Sequence, residues 1–106
     1  MDKHYNKNGD IGLIVSSGFG AGWSSWASGE LKDFMLMDRT LVEMCLNKAS
    51  ESEAEDYITK VHNLDYVCTL GWDDAYVTFL PPNTPFYLHE YDGSEHIVTE
   101  FNNTGE

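Results

Sequence analysis

The chain has 106 residues, of which 42% are hydrophobic and 23% are charged, and its formal net charge is −12. A chain of this size is expected to form one soluble domain, residues 1–106, around a single modest core, which excludes a second domain. The negative charge disfavours direct binding to nucleic acid. The sequence lacks the pattern of a secretory signal and any apolar run long enough to cross a membrane, so we expect a cytoplasmic protein.

The charges are unevenly distributed. All six basic residues lie at or before Lys60, and eight acidic residues follow that position. Such a surface favours basic protein partners, although it also serves simply to keep a domain soluble. Cys45 and Cys68 lie in apolar surroundings without metal-ligand spacing, which favours two reduced core thiols over a disulfide.

The first half of the chain combines one strand, an irregular loop and two helices. Residues 1–9 are polar and expected to be loose, and 11–16 is predicted to be a short buried strand. The segment 18–29 then holds four of the nine glycines and two of the three tryptophans. This composition is typical of an irregular loop anchored by aromatic side chains. We call it the Gly/Trp loop.

Two short helices are predicted downstream of this loop. The apolar run 34–37 is ambiguous and is expected to pack under the loop. Asp38 is a helix N-cap candidate, and the spacing of five small or apolar residues predicts a helix over about residues 39–48, with Leu41, Val42, Cys45, Leu46 and Ala49 towards the core. A capping box, Ser50 with Glu53 or Ser52 with Glu55, starts a second helix that ends near Asn63, with a core stripe of Ala54, Tyr57, Ile58 and Val61.

The second half is predicted to consist of strands. The segments 66–70, 75–80, 85–91 and 95–101 are rich in β-branched and aromatic residues and are separated by turn sequences, which predicts an antiparallel meander. The turn Asp92-Gly93 fixes the last hairpin, so that Phe86, Leu88, Ile97 and Phe101 share the core face and Tyr87, His89, Tyr91, His96 and Val98 share the outer face. The fold class is therefore α+β, a small, mainly antiparallel sheet with two short helices on one face, followed by a flexible tail at 102–106.

No motif in the sequence indicates an enzyme. The glycines after the first strand do not have dinucleotide-binding spacing, no Lys-Ser or Lys-Thr pair follows them, and Trp26 replaces the second glycine of a nucleophile elbow. His89 and His96 face each other across the hairpin, but no spacing supplies a third ligand. We predict no catalytic residue, no cofactor and no metal site.

The segments Gly20-Ala21-Gly22-Trp23-Ser24-Ser25-Trp26 and Glu90-Tyr91-Asp92-Gly93-Ser94-Glu95, together with Pro81-x-x-Thr84-x-Phe86 and the two helices, resemble small uncharacterised bacteriophage proteins. The resemblance spans roughly residues 11–101. It implies an accessory protein made in the cytoplasm of an infected cell, a context in which inhibitors of host proteins and of defence systems are common. It assigns no role to any residue.

Two functions fit these observations. In the first, the protein binds and inhibits or sequesters a host protein through an acidic, aromatic surface. In the second, it is a sponge for a small nucleotide, with phosphates held by amides at Gly18, Gly20 and Gly22 and by two serine hydroxyls, and with the base stacked on a tryptophan. The exposed hairpin face also predicts a homodimer. The candidate binding residues are Gly20, Gly22, Trp23, Ser24, Ser25, Trp26, Tyr87, His89, Tyr91 and His96.

Overall fold

A computed structural model describes residues 1–99, which form an α+β fold with three helices and two separate two-stranded antiparallel sheets. The predicted class is confirmed. The predicted meander of four consecutive strands, in one sheet with the strand 11–16, is wrong, and one helix beyond the predicted pair is present. The predicted tail at 102–106 and Phe101 lie outside the described residues. None of the helices within residues 1–99 combines the length and apolar character needed to cross a bilayer.

The first sheet pairs strand β1, Ile11–Ser16, with strand β2, Ala75–Leu80, in a register that runs from Ile11 opposite Leu80 to Ser16 opposite Ala75. Positions 12 to 16 of β1 are all buried, so this strand needs a partner inside the fold. It takes β2, which the sequence assigned to a hairpin with 66–70.

The segment 66–70 is not a strand, which corrects the predicted meander. Its buried residues include Val67 and Thr69, and the Thr69 hydroxyl donates a hydrogen bond to the Glu51 carboxylate at 2.8 Å. The following residues, Trp72–Asp74, form a 3-10 turn, and the buried Trp72 donates from Nε1 to the Ala49 carbonyl at 2.7 Å. Hydrogen bonds from the side chains of Thr69 and Trp72, rather than strand pairing, hold this part of the chain in place.

The three helices are α1, Gly29–Met37, α2, Arg39–Leu46, and α3, Glu51–His62. The caps of the last two are as predicted: the Asp38 carboxylate accepts from the Leu41 amide, and Ser50 and Glu53 form a complete capping box. Helix α1 contains the ambiguous run 34–37. Two residues predicted to face the core, Leu46 and Val61, are exposed because they lie in the last turns of their helices, beyond the packed core.

The core lies between the helices, β1 and the Gly/Trp loop. Its buried members include Ile14, Trp23, Phe34, Met35, Leu41, Val42, Ala54, Ile58, Val67 and Trp72. Cys45 and Cys68 are free thiols, each partly buried. The amino-terminal residues, expected to be loose, make backbone contacts with this body: the Gly12 amide donates to the His4 carbonyl and the Arg39 amide to the Asp2 carbonyl, both at 2.9 Å.

The second sheet is the predicted hairpin, with β3 at Tyr87–Tyr91 and β4 at Ser94–Val98. Its register is confirmed, with Tyr91 opposite Ser94, His89 opposite His96 and Leu88 opposite Ile97. The predicted core face is only half-buried at its apolar positions. The fully buried residue of that face is Glu95, an acid that the sequence placed among the surface charges.

Candidate functional site

Trp23 is the internal anchor of the Gly/Trp loop. Its side chain is 1% exposed, its ring centre lies 5.2 Å from that of Trp72, and its Nε1 donates to the Met35 carbonyl at 2.6 Å. A ring enclosed in this way has no face left for a ligand or partner. Trp23 therefore belongs to the core rather than to a contact surface, as does its buried neighbour Ser24.

The loop is organised around the buried carboxylate of Glu95, which reaches it from β4. One carboxylate oxygen, Oε1, accepts from the Ser16 amide at 3.0 Å. The other, Oε2, accepts from the amides of Trp23 at 2.6 Å and Ser25 at 3.0 Å, and from the Ser25 hydroxyl. Glu95 is 2% exposed. Buried charge is costly unless it is hydrogen bonded, and here four donors meet it.

Two of the five donors that the nucleotide hypothesis required make hydrogen bonds within the chain. The Ser25 hydroxyl donates to the Glu95 carboxylate, and the Gly20 amide donates to the Asp92 carbonyl at 2.6 Å. Gly22 is packed so tightly that a Cβ there would lie 2.7 Å from the Ser25 hydroxyl oxygen. The geometry thus disfavours an anionic ligand in the Gly/Trp loop, because the chain already supplies its own anion.

Trp26 has the opposite environment to Trp23. It is 48% exposed, and its Nε1 donates to the Glu90 carboxylate at 3.0 Å. The same Glu90 oxygen accepts from the Gly93 amide at 2.7 Å. These two hydrogen bonds, that from Trp26 first, hold the pKa of the Glu90 carboxyl below its ordinary value. Trp26 is thus fixed by its polar edge while much of its ring faces solvent.

The hairpin turn and the Gly/Trp loop together present an acidic and aromatic surface, which we call the tip surface. It consists of Phe19, Trp26, Glu90, Tyr91 and Asp92, all of them exposed. Phe19 is 70% and Tyr91 71% exposed. Sequence reasoning missed Phe19, although a large apolar residue flanked by Gly18 and Gly20 is itself a signal of an exposed loop tip. The bond from the Gly20 amide to Asp92 brings Phe19 to the turn.

The outer face of the hairpin carries the predicted aromatic and imidazole patch. The rings of His89 and His96 lie 4.7 Å apart, and Tyr87 and Tyr91 are exposed on the same face. Within residues 1–99, no three His, Cys, Asp or Glu side chains are grouped closely enough to hold a metal ion.

A cavity of about 560 Å³ lies away from the tip surface, between α2 and β2. Its lining includes Cys45, Lys48, Trp72 and Tyr76. No sequence pattern indicates this cavity, because its walls come from segments that are far apart along the chain. Its lining combines one basic and one acidic residue, Lys48 and Asp73, with an otherwise mainly apolar wall.

Comparison with known proteins gives no match among protein-family models, curated proteins or solved structures.

Proposed function

We propose that this protein is a non-enzymatic phage accessory protein that binds a basic host protein, such as a component of a defence system, through the tip surface and inhibits or sequesters it by occlusion. The observation that carries the proposal is the contrast within the Gly/Trp loop. Trp23 and Ser25 are used internally, while Trp26 is held in place with its ring exposed beside Glu90.

The tip surface has the composition of a protein-binding site. Exposed aromatic rings contribute much of the energy of protein interfaces, and Trp26 and Tyr91 are of the residue types enriched at their hot spots. Trp26 loses little conformational freedom on binding because Glu90 already orients it. This preorganisation lowers the entropic cost of binding.

Charge indicates the kind of partner. Glu90 and Asp92 lie on the tip surface, and Asp65, Asp73 and Asp74 are also exposed, while no Lys or Arg follows Lys60. Such a surface attracts positive patches, including the nucleic-acid-binding faces of other proteins, and speeds their association. Occupying such a face would block the partner's own ligand.

The experiment compares partners captured from host cells by three immobilised proteins: wild type, the double variant Trp26→Ala/Tyr91→Ala, and the control Tyr66→Ala. Tyr66 is about as exposed as Tyr91 but does not belong to the tip surface. We expect a basic protein that is retained by wild type and control, is lost with the double variant, and is released by raised salt. Purified wild type should then inhibit that protein stoichiometrically. A partner retained equally by all three proteins would contradict the proposal.

A further inference from the structure

We infer that β3 pairs edge to edge with β3 of a second copy of this chain, in an antiparallel register centred on His89. This interface shares Glu90 and Tyr91 with the tip surface, but the inference does not depend on the proposed function. Within residues 1–99, β3 pairs with β4 on one side, and no strand pairs with its other side.

The hairpin determines which backbone groups lie on that outer edge. Asp92 and Gly93 both have positive φ, 50° and 91°, the combination of a type I′ turn. In such a hairpin the residues that flank the turn, Tyr91 and Ser94, form a hydrogen-bonded pair, and hydrogen-bonded pairs alternate along the ladder. The N–H and C=O groups of Leu88 and Glu90 therefore point away from β4.

These outward groups are self-complementary. When two copies of β3 pair antiparallel about a two-fold axis at His89, Leu88 of each copy lies opposite Glu90 of the other. Each such pair exchanges two backbone hydrogen bonds, so the two pairs satisfy the outward N–H and C=O groups of both residues on both chains. The result is a four-stranded sheet across the axis.

Charge favours the register centred on His89 over the register centred on Glu90. Centred on His89, the pairing puts Glu90 opposite the apolar Leu88 of the second copy. A pairing centred on Glu90 would put two carboxylates opposite each other, which destabilises a sheet. His89 meets His89 on the exposed face, where Tyr91 and His96 extend the row of rings.

The interface is small, because β3 has only five residues. Stable protein interfaces bury about 1,200–2,000 Å² in total, so a five-residue edge predicts a weak dimer, populated at tens to hundreds of micromolar. Each copy also carries a net charge of −12, so dimerisation is expected to strengthen as salt screens the repulsion.

The experiment measures sedimentation of the wild type and of two matched variants, Leu88→Lys and Leu88→Glu. Both variants remove the same apolar side chain, so any loss of hairpin packing is common to them. Leu88→Lys puts opposite charges across the two-fold axis and Leu88→Glu puts like charges there. We expect the dimer of Leu88→Lys to dissociate at about tenfold lower concentration than that of Leu88→Glu.

Disulfide trapping tests the register directly, with Cys45→Ala and Cys68→Ala as background. Two His89→Cys residues on the axis would have Cα atoms about 4.5 Å apart, within disulfide range. Two Tyr91→Cys residues would lie about 13 Å apart, because each is displaced by four positions from its symmetry mate. We expect His89→Cys to cross-link and Tyr91→Cys to remain monomeric.

Three results would overturn the inference. The first is a wild type that stays monomeric up to about 1 mM. If the Leu88 and Glu90 amides of that monomer are also protected from hydrogen exchange, another part of the chain covers the outer edge of β3. The second is a dimer that responds equally to both Leu88 variants. The third is equal cross-linking of His89→Cys and Tyr91→Cys.

Discussion

The buried carboxylate of Glu95 accepts a hydrogen bond from the backbone amide of Trp23 at 2.6 Å, although the two residues are 72 positions apart in the sequence. This bond joins the two most distinctive segments of the chain. The segment 20–26 lies in the Gly/Trp loop, the segment 90–95 spans the hairpin turn, and no β-ladder pairs the two segments. Side-chain carboxylates take the place of that ladder.

Replacing Glu95 should therefore destabilise the whole protein. Glu95→Ala leaves the amides of Ser16, Trp23 and Ser25 without their acceptor in a buried site, and we expect a loss of about 3–5 kcal/mol in the free energy of unfolding. Glu95→Gln keeps one acceptor oxygen and should cost less. Chemical denaturation measures both, and Glu90→Ala is the exposed control. Equal losses for Glu95→Ala and Glu90→Ala would show that the buried carboxylate does not hold the loop.

The two tryptophans of the loop should differ in kind. Trp23→Ala removes a buried ring and its hydrogen bond to Met35, so we expect it to lower the free energy of unfolding by about 3–5 kcal/mol. Trp26→Ala removes a half-exposed ring and should leave thermal stability nearly unchanged while weakening partner binding. Thermal melts and partner capture on the same samples separate these effects. Similar stability losses in both variants would place Trp26 in the core and remove it from the tip surface.

The sequence predicted correctly those helix starts and turns that depend on residues close together along the chain. Asp38 and the Ser50–Glu53 capping box mark helix starts, through hydrogen bonds between residues three positions apart. Asp92-Gly93 determines the register of the hairpin, because the turn has only two residues. Strand partnership is not local. The segment 66–70 has strand-forming residues, but β1 takes β2 as its partner, and this choice depends on packing between distant parts of the chain.

The candidate site was predicted in part. The loop and the hairpin were both singled out, yet nothing in the sequence showed that they meet. Glu95 belonged to a run of surface acids by composition, and its burial depends on three amides supplied by Ser16, Trp23 and Ser25. These three amides point towards one carboxylate only once the loop has folded. No pattern of residue types could therefore distinguish the buried Glu95 from the exposed Glu90, which lies opposite it in the hairpin.

The attachment of Trp26 should depend on pH. The hydrogen bonds from Trp26 and Gly93 hold the pKa of Glu90 below its ordinary value of 4.5, so they favour its charged form in the folded protein. A depressed pKa stabilises the fold above the ordinary value, and this contribution is lost as the pH falls through the lower, folded-state value. We expect the NMR signal of the Trp26 indole N–H to shift with Glu90 protonation below pH 4.5, and Glu90→Gln to abolish that transition. A Trp26 signal that titrates identically in Glu90→Gln would contradict this assignment.

Two glycines at the contact between turn and loop provide a matched pair. Gly93 and Gly20 both have left-handed backbones, with φ of 91° and 90°, so an alanine at either position is strained, by about 1 kcal/mol. Their surroundings differ. A Cβ on Gly93 would lie 2.5 Å from the Ala21 backbone nitrogen, whereas a Cβ on Gly20 meets nothing within 4 Å.

We therefore expect Gly20→Ala to lower the free energy of unfolding by about 1 kcal/mol and Gly93→Ala to lower it by about 3 kcal/mol or more, because only the second change forces the turn away from the loop backbone. Denaturant unfolding gives both values. The indole N–H signal of Trp26 reports on the contact itself, since Gly93 and Trp26 donate to the same Glu90 oxygen. It should move in Gly93→Ala and stay in place in Gly20→Ala. If the two variants lose equal stability and leave that signal unchanged, the turn does not pack against the loop as described, and the tip surface would have to be divided into two independent parts.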